Sequence, residues 1–224
     1  LTGNLLLEQL TTTAGASVLR LALTQVTLRL GNGTTTLAQL TNGEALFLLP
    51  GTGIAGRVSG TVALVGVPGV TLGGTLGVEI NTTGADVDES FTIGDVTSTL
   101  TLDAGIPFRF AGTAITLAVA GVSLVADVTI VKSGTALSVT IANGSLGLGG
   151  SGSPLVSATA VNGTLTADPS GTRGSLAATL SVSITGLLVT GTVSVAFNSG
   201  TTTLDGLTPG VRVKVTTASL AMTG

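Results

Sequence analysis

Carboxylates are the chemistry this chain has to offer. The sequence holds 11 of them: Glu8, Glu44, Glu79, Asp86, Asp88, Glu89, Asp95, Asp103, Asp127, Asp168 and Asp205. Two carboxyl groups flanking one bond can hydrolyse a glycoside, one as acid and the other as base or nucleophile. No spacing among these residues supplies a base, an orienting partner and an oxyanion hole together. With 5 Phe, no Trp and no Tyr, platforms for sugar rings are also lacking. Histidine is absent, which removes the commonest general base and the usual transition-metal ligand. A serine nucleophile would then need a lysine partner. Lys132 and Lys214 both alternate with apolar neighbours, which predicts strand positions facing solvent. The expectation is that the chain is not an enzyme, with no catalytic and no cofactor-binding residues.

The densest acidic cluster is "GADVDES", with Asp86, Asp88 and Glu89. Carboxylates at alternate positions can bind Ca²⁺, but an EF-hand loop needs more ligands at fixed spacing. These three are read as a solvated loop, and no metal site is expected. The absence of cysteine excludes disulfides and thiolate metal sites. Arg57 and Arg173 lie near each other when the two halves are aligned, and so do Arg109 and Arg212. An anion-binding row is the functional reading; charges on a wet face that block edge-to-edge strand pairing are the one preferred. Four N-x-[ST] motifs begin at Asn32, Asn81, Asn143 and Asn162. Three contain Asn-Gly, which a hairpin turn explains without a glycan.

What must carry these residues is strand. Of the 224 residues 43% are hydrophobic and 8% charged, so the chain buries a core. From Ile54 to Leu64 the even positions read Ile, Gly, Val, Gly, Val, Leu and the odd ones Ala, Arg, Ser, Thr, Ala. That is period-2 alternation with one buried and one wet face. The pairs Asn42-Gly43, Asn143-Gly144, Asn162-Gly163 and Ser199-Gly200 read as turns. Apolar phase also flips inside long strands. Leu19, Leu21 and Leu23 give way to Val26, Leu28 and Leu30, while Leu137, Val139 and Ile141 give way to Leu146 and Leu148. A one-residue slip reverses the faces of a strand, so each flip requires a bulge or a corner.

The sequence repeats itself. "LTGNLLLEQ" (1–9) aligns with "LVADVTIVK" (124–132), and "VLRLALTQVTLRLG" (18–31) with "ALSVTIANGSLGLG" (136–149). "GIAGRVSGTVAL" (53–64) aligns with "GTRGSLAATLSV" (171–182), and "GVTLGGTLGVEINTTG" (69–84) with "GLLVTGTVSVAFNSG" (186–200), one residue shorter. "FRFAGTAITLAVAG" (108–121) aligns with "VRVKVTTASLAMTG" (211–224). This predicts two modules, 1–121 and 122–224, with the extra length of the first between Gly84 and Pro107. Ile115, Leu117 and Val119 are odd, while Val122, Leu124, Ala126, Val128 and Ile130 are even. Gly121 is therefore expected to be the kink where one module runs directly into the next. A window that opens a few positions into a repeat suggests a longer tandem array.

The phrases "LTGNLLLEQ", "ITLAVAGVSL", "TNGEALFLL", "GIAGRVSGTVAL" and "GVTLGGTLGVEINTTG" resemble tandem repeats of very large bacterial surface proteins of the adhesin type. The resemblance covers the first half well and the second more loosely. It implies an extracellular, cell-surface or matrix location and a spacer or adhesive role, and it brings no catalytic residues.

The fold expected is all-β: two tandem, mostly antiparallel, sandwich-like modules, with a β-solenoid as the alternative architecture. The 8 Lys and Arg are scattered and the net charge is −3, which argues against nucleic-acid binding. No apolar run approaches the ~20 residues of a transmembrane helix, and a membrane β-barrel would carry aromatic girdles. The expected partners are neighbouring repeats of the same chain and further copies associating laterally into a fibre or sheath. The expected role is a structural spacer or stalk; the alternative is an adhesin module binding glycan or another cell surface.

Overall fold

A computed structural model describes residues 2–11, 17–31, 35–65, 68–119, 122–149 and 154–222. The strands in chain order are β1 (Thr2–Thr11), β2 (Ser17–Gly31), β3 (Thr36–Pro50), β4 (Ala55–Leu64), β5 (Val70–Asn81), β6 (Val87–Ile93) and β7 (Val96–Leu102), followed by β8 (Phe108–Val119), β9 (Val122–Ser133), β10 (Ala136–Leu148), β11 (Val156–Asp168), β12 (Gly171–Ile184), β13 (Leu187–Asn198) and β14 (Gly210–Met222). The fold is all-β and sandwich-like, a large antiparallel sheet and a small one, and it does not close into a barrel. Every strand pair whose register is described is antiparallel. Apart from the separate β6–β7 pair, strands consecutive in sequence are neighbours in the sheet, a meander and not the coil of a solenoid.

Two compact units divide the chain. The first comprises Leu1–Pro68, Gly73–Ala111 and Val131–Ser133; the second comprises Gly69–Leu72, Gly112–Ile130 and Gly134–Gly224. The kink expected at Gly121 falls outside the described residues. The flanking segments, Gly112–Val119 and Val122–Ile130, belong together in the second unit. There β8 and β9 are hydrogen-bonded neighbours.

In the first unit the strand order is β1-β2-β3-β4-β5. The hairpin β6–β7 lies on one face of this sheet. Phe91 and Leu100 are fully buried there against Ala22, Leu46, Leu48 and Ala55, with Val87 and Leu102 completing the cluster. Alternation explains it: Val87 and Phe91 are four apart on β6, and Leu100 and Leu102 are two apart on β7, so each strand turns one apolar edge inward. A fully buried Leu or Phe contributes about 1.5–3 kcal/mol relative to exposure. The extra length of the first module, between Gly84 and Pro107, is this second layer, and Asp88 and Glu89, read as part of a solvated loop, lie in its strand β6.

In the second unit the order runs β8 to β14 with β6 and β7 having no counterpart. One face collects Leu176, Ala178 and Leu180 of β12 beside Val195, Val193 and Gly191 of β13, which pair with them. The opposite face carries Ser175, Thr179 and Ser181 beside Ala196, Thr192 and Thr190. Where the first unit buries Ala22, Leu46 and Leu48 beneath the hairpin, the aligned residues are Thr140, Thr164 and Thr166.

The phase flips are bulges. Register shifts between Leu23 and Val26 on the β2–β3 ladder, and between Ile141 and Gly144 on the aligned β10–β11 ladder. It shifts again between Thr41 and Glu44, and between the aligned Thr159 and Asn162. Left-handed residues sit at the same places: Gln25 (φ 54°) with its counterpart Asn143 (53°), Asn42 (52°) with Ala160 (49°), and Ala114 (50°) with Thr217 (52°). The Asn-Gly pairs read as hairpin turns are therefore corrected. Asn42-Gly43 lies inside β3, Asn143-Gly144 inside β10 and Asn162-Gly163 inside β11. A bulge and a primed turn both call for a left-handed residue, which Asn adopts more readily than most. The following glycine answers a second need. A Cβ on Gly43 would stand 2.8 Å from Val26 Cβ, and one on Gly144 would stand 2.7 Å from Val161 Cβ.

Candidate functional site

The acidic cluster opens β6. Asp86 Oδ1 accepts the Ala104 amide at 2.7 Å, closing the base of the hairpin, and Asp88 Oδ1 accepts from Thr101 Oγ1 at 3.3 Å across to β7. Asp88 and Glu89 are consecutive in a strand, so they face opposite sides. Among the described residues no three His, Cys, Asp or Glu side chains are grouped to hold a metal ion. Asp86 and Asp88 serve the hairpin's own geometry.

Arginines fasten that hairpin to the sheet. Arg20 of β2 pairs with Glu8 of β1 at 3.2 Å, donates to the Ser90 carbonyl and lays its guanidinium 4.5 Å from the centre of the Phe91 ring. Arg57 of β4 pairs with Glu44 at 2.7 Å and donates to the Thr99 carbonyl at 3.0 Å. Ser90 and Thr99 are opposite one another in the hairpin ladder, so two cations hold one rung from its two strands. Glu44 completes the clasp by accepting from Ser98 Oγ at 2.6 Å. Charge-assisted hydrogen bonds of this kind are about twice as strong as neutral ones. The reading of Arg57 as an edge-blocking charge is corrected: β4 is flanked by β3 and β5, and the cation works between layers.

Arg173 behaves in the same inward way within the second unit. It pairs with Asp168 at 2.8 Å and with Asp205 of the β13–β14 loop. The Arg173 hydrogen bond, helped by the Ser170 amide, holds the Asp168 carboxyl below the usual range, and the two carboxylates raise the guanidinium further. Arg109 pairs with Glu79 at 3.4 Å, and Arg212 donates to the Thr208 carbonyl at 3.2 Å. No anion-binding row forms from them. Lys132 and Lys214 are exposed, as their alternation predicts.

Asparagines do more than the sequence reading assigned them. Asn81 ends β5 and its aligned residue Asn198 ends β13; they are 2% and 3% exposed. Asn81 Nδ2 donates to the carbonyls of Ala85 and Asp103, while its Oδ1 accepts from the Thr83 amide and hydroxyl. Asn198 Nδ2 donates to the carbonyls of Thr202 and Leu207, and its Oδ1 accepts the Gly200 amide. Each amide is the post from which a loop leaves the sheet. This burial removes Asn81 as a glycan acceptor. Asn143 and Asn162 are bound at the bulged rung, and Asn32 lies outside the described residues.

The second centre missed by the sequence reading is Asp127 of β9. Its Oδ1 accepts the amide of left-handed Ala114 at 2.7 Å, and its Oδ2 accepts from Asn143 Nδ2 at 2.7 Å. These bonds hold its carboxyl below the usual range, the Ala114 amide having the larger effect. The signal that could have found it is the alignment of Asp127 with Asn4, which donates Nδ2 to Gln25 Oε1 at 3.0 Å.

Two hollows adjoin these residues. In the first unit a space of about 450 Å³ lies between the bulged rung and the hairpin, lined by Thr24, Gln25, Asn42, Glu44, Val96 and Ser98. In the second an apolar hollow of about 410 Å³ is lined by Leu124, Val128, Ile141, Leu146, Leu180 and Val193. No protein-family model matches the chain, and no curated protein or solved structure is similar to it.

Proposed function

We propose that this chain is a structural spacer, a repeated sheet framework of an extracellular or cell-surface protein, whose partners are further repeats and further copies of itself. The observation that carries the reading is the recurrence of the same bulges and the same loop post in both units: Gln25 with Asn143, Asn42 with Ala160, Ala114 with Thr217, and Asn81 with Asn198. A framework is what is kept; the side chains hung on it differ. The resemblance to adhesin-type surface repeats and the scarcity of aromatic and cationic side chains point the same way, since recognition surfaces are enriched in Tyr, Trp and Arg. The purified segment passed over a glycan array and host-cell surfaces tests it. A spacer gives no saturable binding; binding at micromolar affinity or better would make the chain an adhesin module.

A further inference from the structure

The β6–β7 hairpin is a two-stranded sheet, so it has an edge on each side. Among the described residues no strand pairs with either one. Opposite residues in an antiparallel pair alternate between rungs bonded to each other and rungs whose backbone groups point outward. Ser90 and Thr99 are opposite, and each gives its carbonyl to an arginine of the sheet below: Ser90 to Arg20, and Thr99 to Arg57 at 3.0 Å. Theirs is therefore an outward rung. By alternation the rungs Asp88–Thr101 and Thr92–Thr97 point outward too. Each edge thus offers three residues to an incoming strand: Asp88, Ser90 and Thr92 on β6, and Thr97, Thr99 and Thr101 on β7. All six are exposed. An edge of this kind is a template for strand addition.

The central residue of each edge is the one already taken. We propose that Arg20 and Arg57 are edge caps: each guanidinium stands where the amide of an added strand would approach, and so keeps the hairpin from being extended on either side. With the middle rung occupied, one open rung is left on each side of it, and Asp88 puts a charge on one of these. The edge that Arg57 closes is not that of its own strand β4 but that of the hairpin above it. The caps are held from behind. Arg20 pairs with Glu8 at 3.2 Å and lies 4.5 Å from the centre of the Phe91 ring, and Arg57 pairs with Glu44 at 2.7 Å. They rise on opposite sides, since β2 packs against β6 and β4 against β7. The second half of the sequence has no such hairpin. There the residues aligned with Glu8, Arg20, Glu44 and Arg57 are Val131, Ser138, Asn162 and Ser175, and none is charged. A fastener could grip side chains on the inner face; bonds to outward carbonyls do what a cap does. Edge closure is independent of the spacer reading and of any glycan.

Sedimentation of the full 224-residue chain and of paired variants tests the caps. Arg57→Met with Glu44→Gln uncovers the β7 edge, leaves no carboxylate without its cation and keeps the net charge. Arg20→Met with Glu8→Gln does the same for the β6 edge. Each pair should raise self-association about tenfold or more over the unmodified chain. Adding Thr99→Pro to the first pair, or Ser90→Pro to the second, should return association to the unmodified level, because proline removes an outward amide that no ladder bond uses. A thermal melt of each variant checks that it remains folded. Folded variants that associate no more than the unmodified chain overturn the proposal. Association that survives the proline on its own edge overturns it as well, and so does loss of the fold in both pairs, which would make the arginines fasteners of the layer alone.

Discussion

The loop that leaves β5 and the loop that leaves β13 start from the same post and build different things. Asn81 and Asn198 are both buried and both hold two carbonyls of the departing chain. After Asn198 the chain turns back through Ser199–Pro209, pinned by a small bridge between Leu204 and Leu207. After Asn81 it grows into the β6–β7 hairpin and adds a layer. The difference teaches that the layer is an addition to a self-sufficient sheet. It requires an apolar floor, which Ala22, Leu46 and Leu48 provide where the second unit has threonines, and it requires cations at the border. A buried hydroxyl with no partner, Thr24 Oγ1, marks the margin of that addition, where the 450 Å³ space begins.

The largest break in the comparison comes from Phe91→Ala. Emptying a fully buried ring should remove about 3–5 kcal/mol from the first unit and leave the second untouched. Denaturant melts with a probe in each unit check this; equal loss in both would mean the hairpin is no local addition. Next come the posts. Asn81→Ala and Asn198→Ala should each lose about 1–3 kcal/mol, because loop carbonyls are left buried without donors. If Asn198→Ala is neutral while Asn81→Ala is not, the two posts are not equivalent. Smaller still is Ala160→Gly. A left-handed alanine is strained by about 1–2 kcal/mol, and glycine relieves it, so the variant should gain up to ~1 kcal/mol after its added unfolded-state entropy. Destabilisation there would argue against the bulge at Ala160.

The mildest test is pH. Asp127 and Asp168 are both lowered in the folded second unit, so they bind protons more weakly there than in the unfolded chain. Their contribution is present above the unfolded value and lost as pH falls through the folded one. Stability of the second unit should therefore be flat near neutrality and decline below about pH 4. Asp168→Asn should flatten part of that decline in an acid titration followed by circular dichroism.

Much of this was readable in advance, and the failures have physical causes. Alternation located the strands because period 2 is the geometry of the pleat itself. The flips at Leu23/Val26 and Ile141/Gly144 announced bulges because an extra residue reverses parity. Asn42-Gly43 reads as a turn because bulge and turn share one backbone requirement. Asp86, Asp88 and Glu89 read as a solvated loop because their charge dominates the segment, while Val87, Phe91, Leu100 and Leu102 alternate with polar residues and form a second layer. The bonds of Arg20 and Arg57 to the hairpin cross between strands distant in sequence, and no local pattern encodes them; those of Asp127 join consecutive strands through the left-handed Ala114, which alternation does not reveal.

The central claim is that one bulged sheet design occurs twice, and nuclear magnetic resonance of the intact chain reads it residue by residue. A positive φ brings a residue's own amide and α protons close, giving a strong intraresidue cross-peak that extended strand does not show. The account predicts strong cross-peaks at both members of each aligned pair: Gln25 and Asn143, Asn42 and Ala160, Ala114 and Thr217. Weak, strand-like cross-peaks at one member of these pairs would contradict it.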